Sequence, residues 1–345
     1  MRCLTLAQEL RKAKQEVAFI CRELPGDMTK FIEQSGFMVY RLSPLITAKQ
    51  TETMDSLLAF IRVSDAGDTG KIISKIGHLD WIVVDHYGID HIWERQIRSF
   101  AKNIMVIDDL ADRIHDCDLL LDQNLYEDLD LRYSKLVPAG CRILLGPRFA
   151  LLRDEFYKAR QQAKVRNGTV NNLFVFFGGA DLTNETAKTL RALKNLRQLE
   201  IEIDVVIGAM NPHRSEVEAL VNSMSNVKYY CQVSNMAEMM LKADLAIGAG
   251  GSTTWERCCV GLPAHVITVA QNQVELVQTA HSIGAVKYLG HYDAVSEDTI
   301  VRALSEAINR PADISKMSSI AMQMTGSLSG PQQVVNVILE EANGK

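Results

Sequence analysis

The chain has 345 residues, 47% of them hydrophobic and 23% charged, and a formal net charge of −5. That length suits two domains of ordinary size, and the composition is that of a folded globular protein. The acidic balance argues against a nucleic-acid binder, which needs a basic face for phosphates, and against a polybasic membrane anchor. A single nucleotide held locally remains compatible with it.

Met1–Lys14 reads as a helix, amphipathic from Leu4 onward. A doubly wound domain ordinarily opens with a strand and a glycine-rich turn before its first helix, so the strand that should feed this helix is missing. Strands are then expected at Glu16–Arg22, Phe37–Leu42, Trp81–Asp85 and Asn103–Asp108, and in the second half at Asn172–Phe177, Glu202–Ile207, Val227–Cys231, Leu245–Gly248 and His265–Val269. Several are continuous apolar runs, as expected of parallel strands covered on both faces. Helical stretches such as Asn184–Leu196 and Pro212–Ser223 lie between them, which predicts right-handed βαβ units and doubly wound sheets. Polar residues Asp154–Asn172 separate the halves. The expected domains are therefore 1–160 and 170–328, with a last helix over 330–342 whose apolar residues Val334, Val335, Ile338 and Leu339 share one face.

Seven cysteines, an odd number with no CxxC pair, suggest neither a zinc site nor a disulfide framework and fit a reducing cytosol. No apolar run approaches the roughly 20 residues of a membrane span, and no signal peptide is visible. A cytoplasmic location is the expectation.

The strongest local signal is the segment Leu245–Gln273. An apolar strand runs into Gly248, Ala249, Gly250 and Gly251, and Ser252-Thr253-Thr254 opens a helix. Glycines admit close backbone approach by an anion, and a helix start offers unpaired N–H groups to phosphate. Ser252 is either a further donor or simply an N-cap. Glu256, one turn on, is placed to accept ribose hydroxyls. The same pattern also suits plain strand-to-helix punctuation, and Glu256 with Asn272 tilts it toward ligand binding. A second turn, Gly178–Gly179, follows the first strand of the second half, with Thr183 or Asn184 as the cap of the next helix. Met236–Leu241 reads as core. In the first half, Asp85-His86-Tyr87-Gly88 emerges where a strand ends. His86 and His115 lack metal-ligand spacing, so no metal is expected; Asp108 and Asp109 read as turn caps and His115 as a surface or satisfied interior histidine. Arg148 and Arg153 either supply positive charge to a ligand or are solvated.

Taken in order, Arg2–Ala7, Val84–Gly88, Ile107–Asn124, Leu144–Arg153, Phe176–Asp181 and Gly248–Glu256 resemble the UDP-sugar hydrolases of the pseudaminic acid pathway (PseG-type), a pattern shared with spore-coat polysaccharide proteins and related to the nucleotide-sugar transferases of peptidoglycan synthesis. The resemblance implies a GT-B fold, two Rossmann-like domains facing across a cleft, with the final helix returning to the first domain. It implies that the second domain holds UDP, Glu256 on the ribose and Gly248–Thr254 on the diphosphate with Gly178–Gly179 also binding UDP, that Tyr87 and Asn272 are catalytic, and that Arg153, Asn272 and His86 contact the substrate. The implied reaction is cleavage of UDP from a 2,4-diacetamido-2,4,6-trideoxyhexose by water, without metal or cofactor. One feature departs from the pattern: the family's general base is a histidine in a GxGHxxRC turn, and this sequence starts inside that motif at Arg2-Cys3. The histidine is expected upstream of Met1. A monomer is expected, with a UDP-sugar as partner and neither nucleic acid nor membrane. Two other readings keep the same fold: a glycosyltransferase with a UDP-sugar donor, and a catalytically silent nucleotide-sugar binding protein.

Overall fold

The structure is a computed structural model and describes residues 1–24, 26–44, 54–196, 201–326 and 328–343. Its contacts divide the chain into two units: Met1–Asn124, Asp128–Leu151 and Pro331–Lys345 form the first, and Leu125–Glu127 with Leu152–Gly330 the second.

The first unit runs α1 (Arg2–Lys12), β1 (Ala18–Arg22), α2 (Thr29–Gln34), β2 (Met38–Leu42), α3 (Met54–Ile76), β3 (Leu79–Val84), α4 (His91–Ile97), β4 (Ala101–Ile107), β5 (Leu119–Asp122) and β6 (Arg142–Leu145). All pairings are parallel, but the strands form two sheets, β1-β2 and β3-β4-β5-β6. Among the described residues no strand joins β1 to β3. Helix α1 packs on both: Leu6, with Cys3 and Leu10, belongs to the core over Met105, Ile107 and Leu119 of the larger sheet, while Leu4 and Ala7 meet Phe19, Ile32, Phe37 and Val39 around the smaller one. Ile20 of β1 adds a contact to the core that holds Val84 and Val106. Asp90 starts α4 by accepting the Ile92 amide at 3.0 Å, an ordinary N-cap.

The second unit runs α5 (Asp154–Arg160), β7 (Asn172–Phe176), α6 (Glu185–Asn195), β8 (Glu202–Ile207), α7 (Arg214–Val221), β9 (Val227–Cys231), α8 (Met236–Lys242), β10 (Leu245–Ala249), α9 (Thr253–Cys259), β11 (Ala264–Thr268), α10 (Val274–Ser282), β12 (Lys287–His291), α11 (Glu297–Asn309) and α12 (Pro311–Met324). Its single parallel sheet has the order β12-β11-β10-β7-β8-β9. Leu173, Val175 and Ile247 face a core with α6, α7 and α11, while Phe174, Ala246 and Val266, at alternate positions, are buried on the opposite side. A last helix, α13 (Gly330–Asn343), puts Val334, Val335, Val337 and Ile338 into the first unit's core.

Three strands escaped the sequence reading. β5 and β6 are four residues each, too short for a period to declare itself, and β12 (KYLGH) is a half-exposed edge strand whose pairing with β11 shifts register at Val266/Ile267. The unit boundary lies before α5, at Leu152, where the sequence suggested 160–170. The reason is anchorage: Phe156 is fully buried, Glu155 accepts the Ala237 amide, and Arg160 donates to the Cys259 and Met322 carbonyls. Among the described residues no helix is long and apolar enough to cross a membrane.

Candidate functional site

In the second unit the chain winds outward in two directions from the middle of the sheet, β7 to β9 one way and β10 to β12 the other. The reversal falls between β10 and β7, which pair directly through Gly248 and Phe176. Loops leaving the carboxyl ends of two such strands must diverge, and the crevice they leave is where open α/β sheets bind ligands. Both glycine turns of the sequence flank this point: Gly178–Gly179 after β7, and Gly250–Ser252 after β10.

The glycines do different work. A Cβ on Gly248 would lie 2.3 Å from the Phe176 carbonyl oxygen and 2.9 Å from Arg257 Nη1, and one on Gly250 would lie 2.5 Å from Val277 Cγ2. These two are glycine because the protein itself fills the space; with Ala249 they are buried. Gly251 differs, since a Cβ there meets nothing nearer than Gln273 Nε2 at 3.7 Å, and Gly178 and Gly179 have nothing within 4 Å. Gly178 adopts φ +95, a conformation L side chains avoid. The open backbone of the site is therefore Gly178–Gly179 and Gly251–Ser252.

Ser252 sits in the αR region and makes no side-chain cap bond to α9, which leaves its exposed hydroxyl unused by the fold. Thr253, half-buried, begins the helix. Asn184, one of the expected caps of α6, is left-handed at φ 60 and makes no cap bond. Asp181 does that work, its carboxylate accepting the Glu185 and Thr186 amides at 3.0 Å each.

Glu256 and Arg153 come together, with Arg153 Nη2 at 3.4 Å from Glu256 Oε1. Arg153 also pairs with Glu155 at 2.5 Å and lies over the Phe156 ring, so it bridges two carboxylates from a fixed base. Burial raises the pKa of Glu256, and the Arg153 charge pulls the other way. Asn272 is exposed on the short 3-10 turn Gln271–Gln273 that follows β11. Its neighbour Gln273 accepts the Val269 amide at 3.0 Å and turns its amide nitrogen toward Gly251.

Two residues here were missed from sequence. Gln273 was overshadowed by Asn272. Arg257 was passed over, although an arginine inside the mostly apolar stretch WERCCVGLP is itself a signal. It is 1% exposed, donates from Nη2 to the Ala249 carbonyl at 2.8 Å and to Thr254 Oγ1 at 3.2 Å, and burial pushes its pKa down to about 10.

The remaining expected residues lie in the first unit. His86 and Tyr87 follow β3. His86 Nδ1 accepts the Gly88 amide at 3.0 Å, and Tyr87, 54% exposed, donates its hydroxyl to Asp109 at 3.4 Å. Burial and the Asp109 charge raise the Tyr87 pKa, so the phenol is protonated at neutral pH and acts as a donor. Arg2 pairs with Asp85 at 2.7 Å and Asp109 at 3.0 Å. Burial works to raise the Asp85 pKa, but the Arg2 hydrogen bond and charge outweigh it and leave the carboxyl below its ordinary value. Deeper, at the ends of β4 and β5, Tyr133 lies 3.1 Å from Asp108 and 2.9 Å from Asp122. One phenolic proton cannot serve both carboxylates, and burial raises Asp122 to about 6. Asp108 also caps its turn through the Ala111 amide, and His115 is an interior residue bonded to Glu94 at 2.7 Å. Arg148 is exposed.

Residues 172–329 match the family model of the glycosyltransferase family 28 C-terminal domain. The chain is 28% identical over 282 residues to an uncharacterized protein of Methanocaldococcus jannaschii, covering 79% of this chain and 53% of that protein. It is 26% identical over 265 residues to the UDP-2,4-diacetamido-2,4,6-trideoxy-beta-L-altropyranose hydrolase of Campylobacter jejuni, covering 76% of this chain and 85% of the relative. The aligned region thus spans about half of the archaeal relative and most of the bacterial one. Among solved structures, MurG of Acinetobacter baumannii matches with a TM-score of 0.67 at 14% identity, over 98% of this chain and 95% of that one. Two parallel-sheet α/β units with this match make the fold GT-B, as the motifs implied.

Proposed function

We propose that the chain binds a UDP-sugar on its second unit and hydrolyses it, releasing UDP and a free 2,4-diacetamido-2,4,6-trideoxyhexose. The observation that carries this reading is the pair of open glycine turns flanking the strand-order reversal, with a half-buried carboxylate, Glu256, one turn beyond. In this reading the amides of Gly251 and Ser252, with Gly178–Gly179 opposite, receive the diphosphate. A leaving group of that charge is stabilised best by donors already fixed in place. Glu256 exchanges its Arg153 partner for the ribose hydroxyls, and Arg153, still held by Glu155, is left to meet a substrate oxygen. Asn272 contacts the sugar, and in the first unit the Tyr87 phenol, protonated at neutral pH, is a donor beside His86. The water oxygen then bonds to the anomeric carbon as the C–O bond to UDP breaks, the bonding electrons leaving on UDP and the water's surplus proton passing to solvent.

Similarity to the Campylobacter hydrolase over three quarters of the chain supports hydrolysis. The glycosyltransferase family 28 match favours a second reading, transfer of the sugar to an acceptor. The test is UDP release from the diacetamido-altropyranose nucleotide in water alone. Release without an acceptor supports the hydrolase, release only with an acceptor supports the transferase, and tight UDP binding with no turnover under either condition leaves a nucleotide-sugar binding protein.

A further inference from the structure

Arg257 is the largest charged side chain fully enclosed in the second unit, and none of its described contacts is an ion pair with a carboxylate. Its Nε has no hydrogen-bond partner among the described residues. A guanidinium taken out of water without a counter-charge is costly, and proteins normally pair such a group or leave it exposed. Arg166, also buried, shows the ordinary solution: it donates to the carbonyls of Ala243, Val260, Met240, Leu241 and Lys164 and ties a loop to two helix ends. Arg257 has one carbonyl and one hydroxyl.

Its position explains what it is for. The guanidinium lies directly under the β10 turn, so close that a Cβ on Gly248 would touch Nη1 at 2.9 Å, and it holds the Ala249 carbonyl from the protein side. A carbonyl pinned inward fixes the plane of the peptide that follows, and with it the outward aim of the next amides. The open residue Gly251 follows two positions later.

We propose that Arg257 is a positioning residue for a nucleoside diphosphate: it fixes the Gly250–Ser252 backbone from beneath, and the ligand's diphosphate adds negative charge over a guanidinium that makes no contact ion pair among the described residues. The inference rests on the UDP-sugar reading above and adds to it a residue that never touches the ligand. A buried positive charge behind a thin backbone layer acts through a low dielectric, so its effect grows with each phosphate on the ligand. A purely structural arginine would affect every ligand of the unit alike.

The experiment measures affinities of the full chain for uridine, UMP and UDP by calorimetry in the wild type, R257K and R257M. Expected is a loss of about 10- to 100-fold for UDP in R257M, a smaller loss for UMP and less than about twofold for uridine, with R257K recovering most of the UDP affinity. Equal losses for all three ligands, or none for UDP, overturn the positioning role while leaving the nucleotide site standing. Wild-type protein that does not bind UDP at all removes the UDP-sugar reading and this inference together. If R257M does not fold, the wild type decides: the Arg257 Nε–H resonance, assigned by its loss in R257K, should move on titration with UDP and stay put with uridine. A resonance indifferent to UDP refutes the proposal.

Discussion

Alanine at Gly251 and at Gly248 should give opposite phenotypes, three residues apart. At Gly251 the new methyl finds only Gln273 Nε2, at 3.7 Å, and the backbone is not left-handed. The folded state accepts it, and the loss of glycine freedom in the unfolded chain stabilises by about 0.4–1 kcal/mol. At Gly248 the methyl lies 2.3 Å from the carbonyl oxygen of Phe176, the residue paired with it across β10 and β7. Neither backbone has a free end to yield, so the strands part, at the cost typical of overpacking, about 1–3 kcal/mol. For a unit of this size that lowers Tm by roughly 2–12 °C. Ligand binding should run the other way at Gly251. A methyl over the open turn holds the diphosphate off its amides, and losing one charge-assisted hydrogen bond, about 1.5–3 kcal/mol, weakens UDP by roughly 10- to 150-fold. Thermal unfolding and titration calorimetry on the two variants read both effects. G251A that binds UDP like the wild type would show that the open turn is not the nucleotide seat; G248A as stable as the wild type would refute the packing argument.

Glu256→Gln should weaken UDP about tenfold or more through the ribose contact while leaving the unliganded protein no less stable at neutral pH. The sign follows from the raised Glu256 pKa: the folded state holds the proton longer than the unfolded one, so the wild type loses stability as pH rises through that window, and the glutamine does not. Melting curves at pH 4 and pH 7.5 test it, and a neutral-pH destabilisation by the glutamine contradicts it. Asp122, raised from 3.8 to about 6, carries the same sign with a magnitude of about 3 kcal/mol, so wild-type stability should fall between pH 4 and 6. Asp122→Asn, which gives Tyr133 the donor it lacks, should flatten that slope in urea titrations. Tyr87→Phe should leave Tm unchanged, since the side chain is half exposed, and lower turnover of the sugar nucleotide about tenfold; unaltered kinetics would remove the phenol from the site.

Much of the second unit was legible because its strands are long apolar runs and its glycine turns punctuate them. What the sequence left open was which glycine faces ligand and which faces protein, since Gly248, Gly250 and Gly251 look alike until Phe176 and Val277 are placed beside them. The capping contact of α6 was missed for a related reason: Asn184 holds the N-cap position as expected but makes no cap bond, and the left-handed turn carries Asp181 under the helix to do so. Arg257 was overlooked beside Glu256, because the sequence does not say which of two adjacent charges the fold encloses. In the first unit, β5 announced itself as LLL yet was too short to distinguish from the loop around it, so the Asp108–Tyr133–Asp122 cluster at the strand ends went unseen.

Helix α1 joins the two sheets of the first unit through Leu4 and Ala7 on one flank and Leu6 on the other. A ladder between strands can change only in whole registers, two residues at a time if the buried face is to stay buried. A seam of side chains has no such quantum. Substituting one aliphatic residue for another of slightly different bulk along α1 would tilt β1-β2 against β3-β6 by small amounts, with every strand pairing intact. The mutual set of the two sheets is thus an adjustable dimension of this fold, open to gradual change in sequence where the rest of the architecture is not.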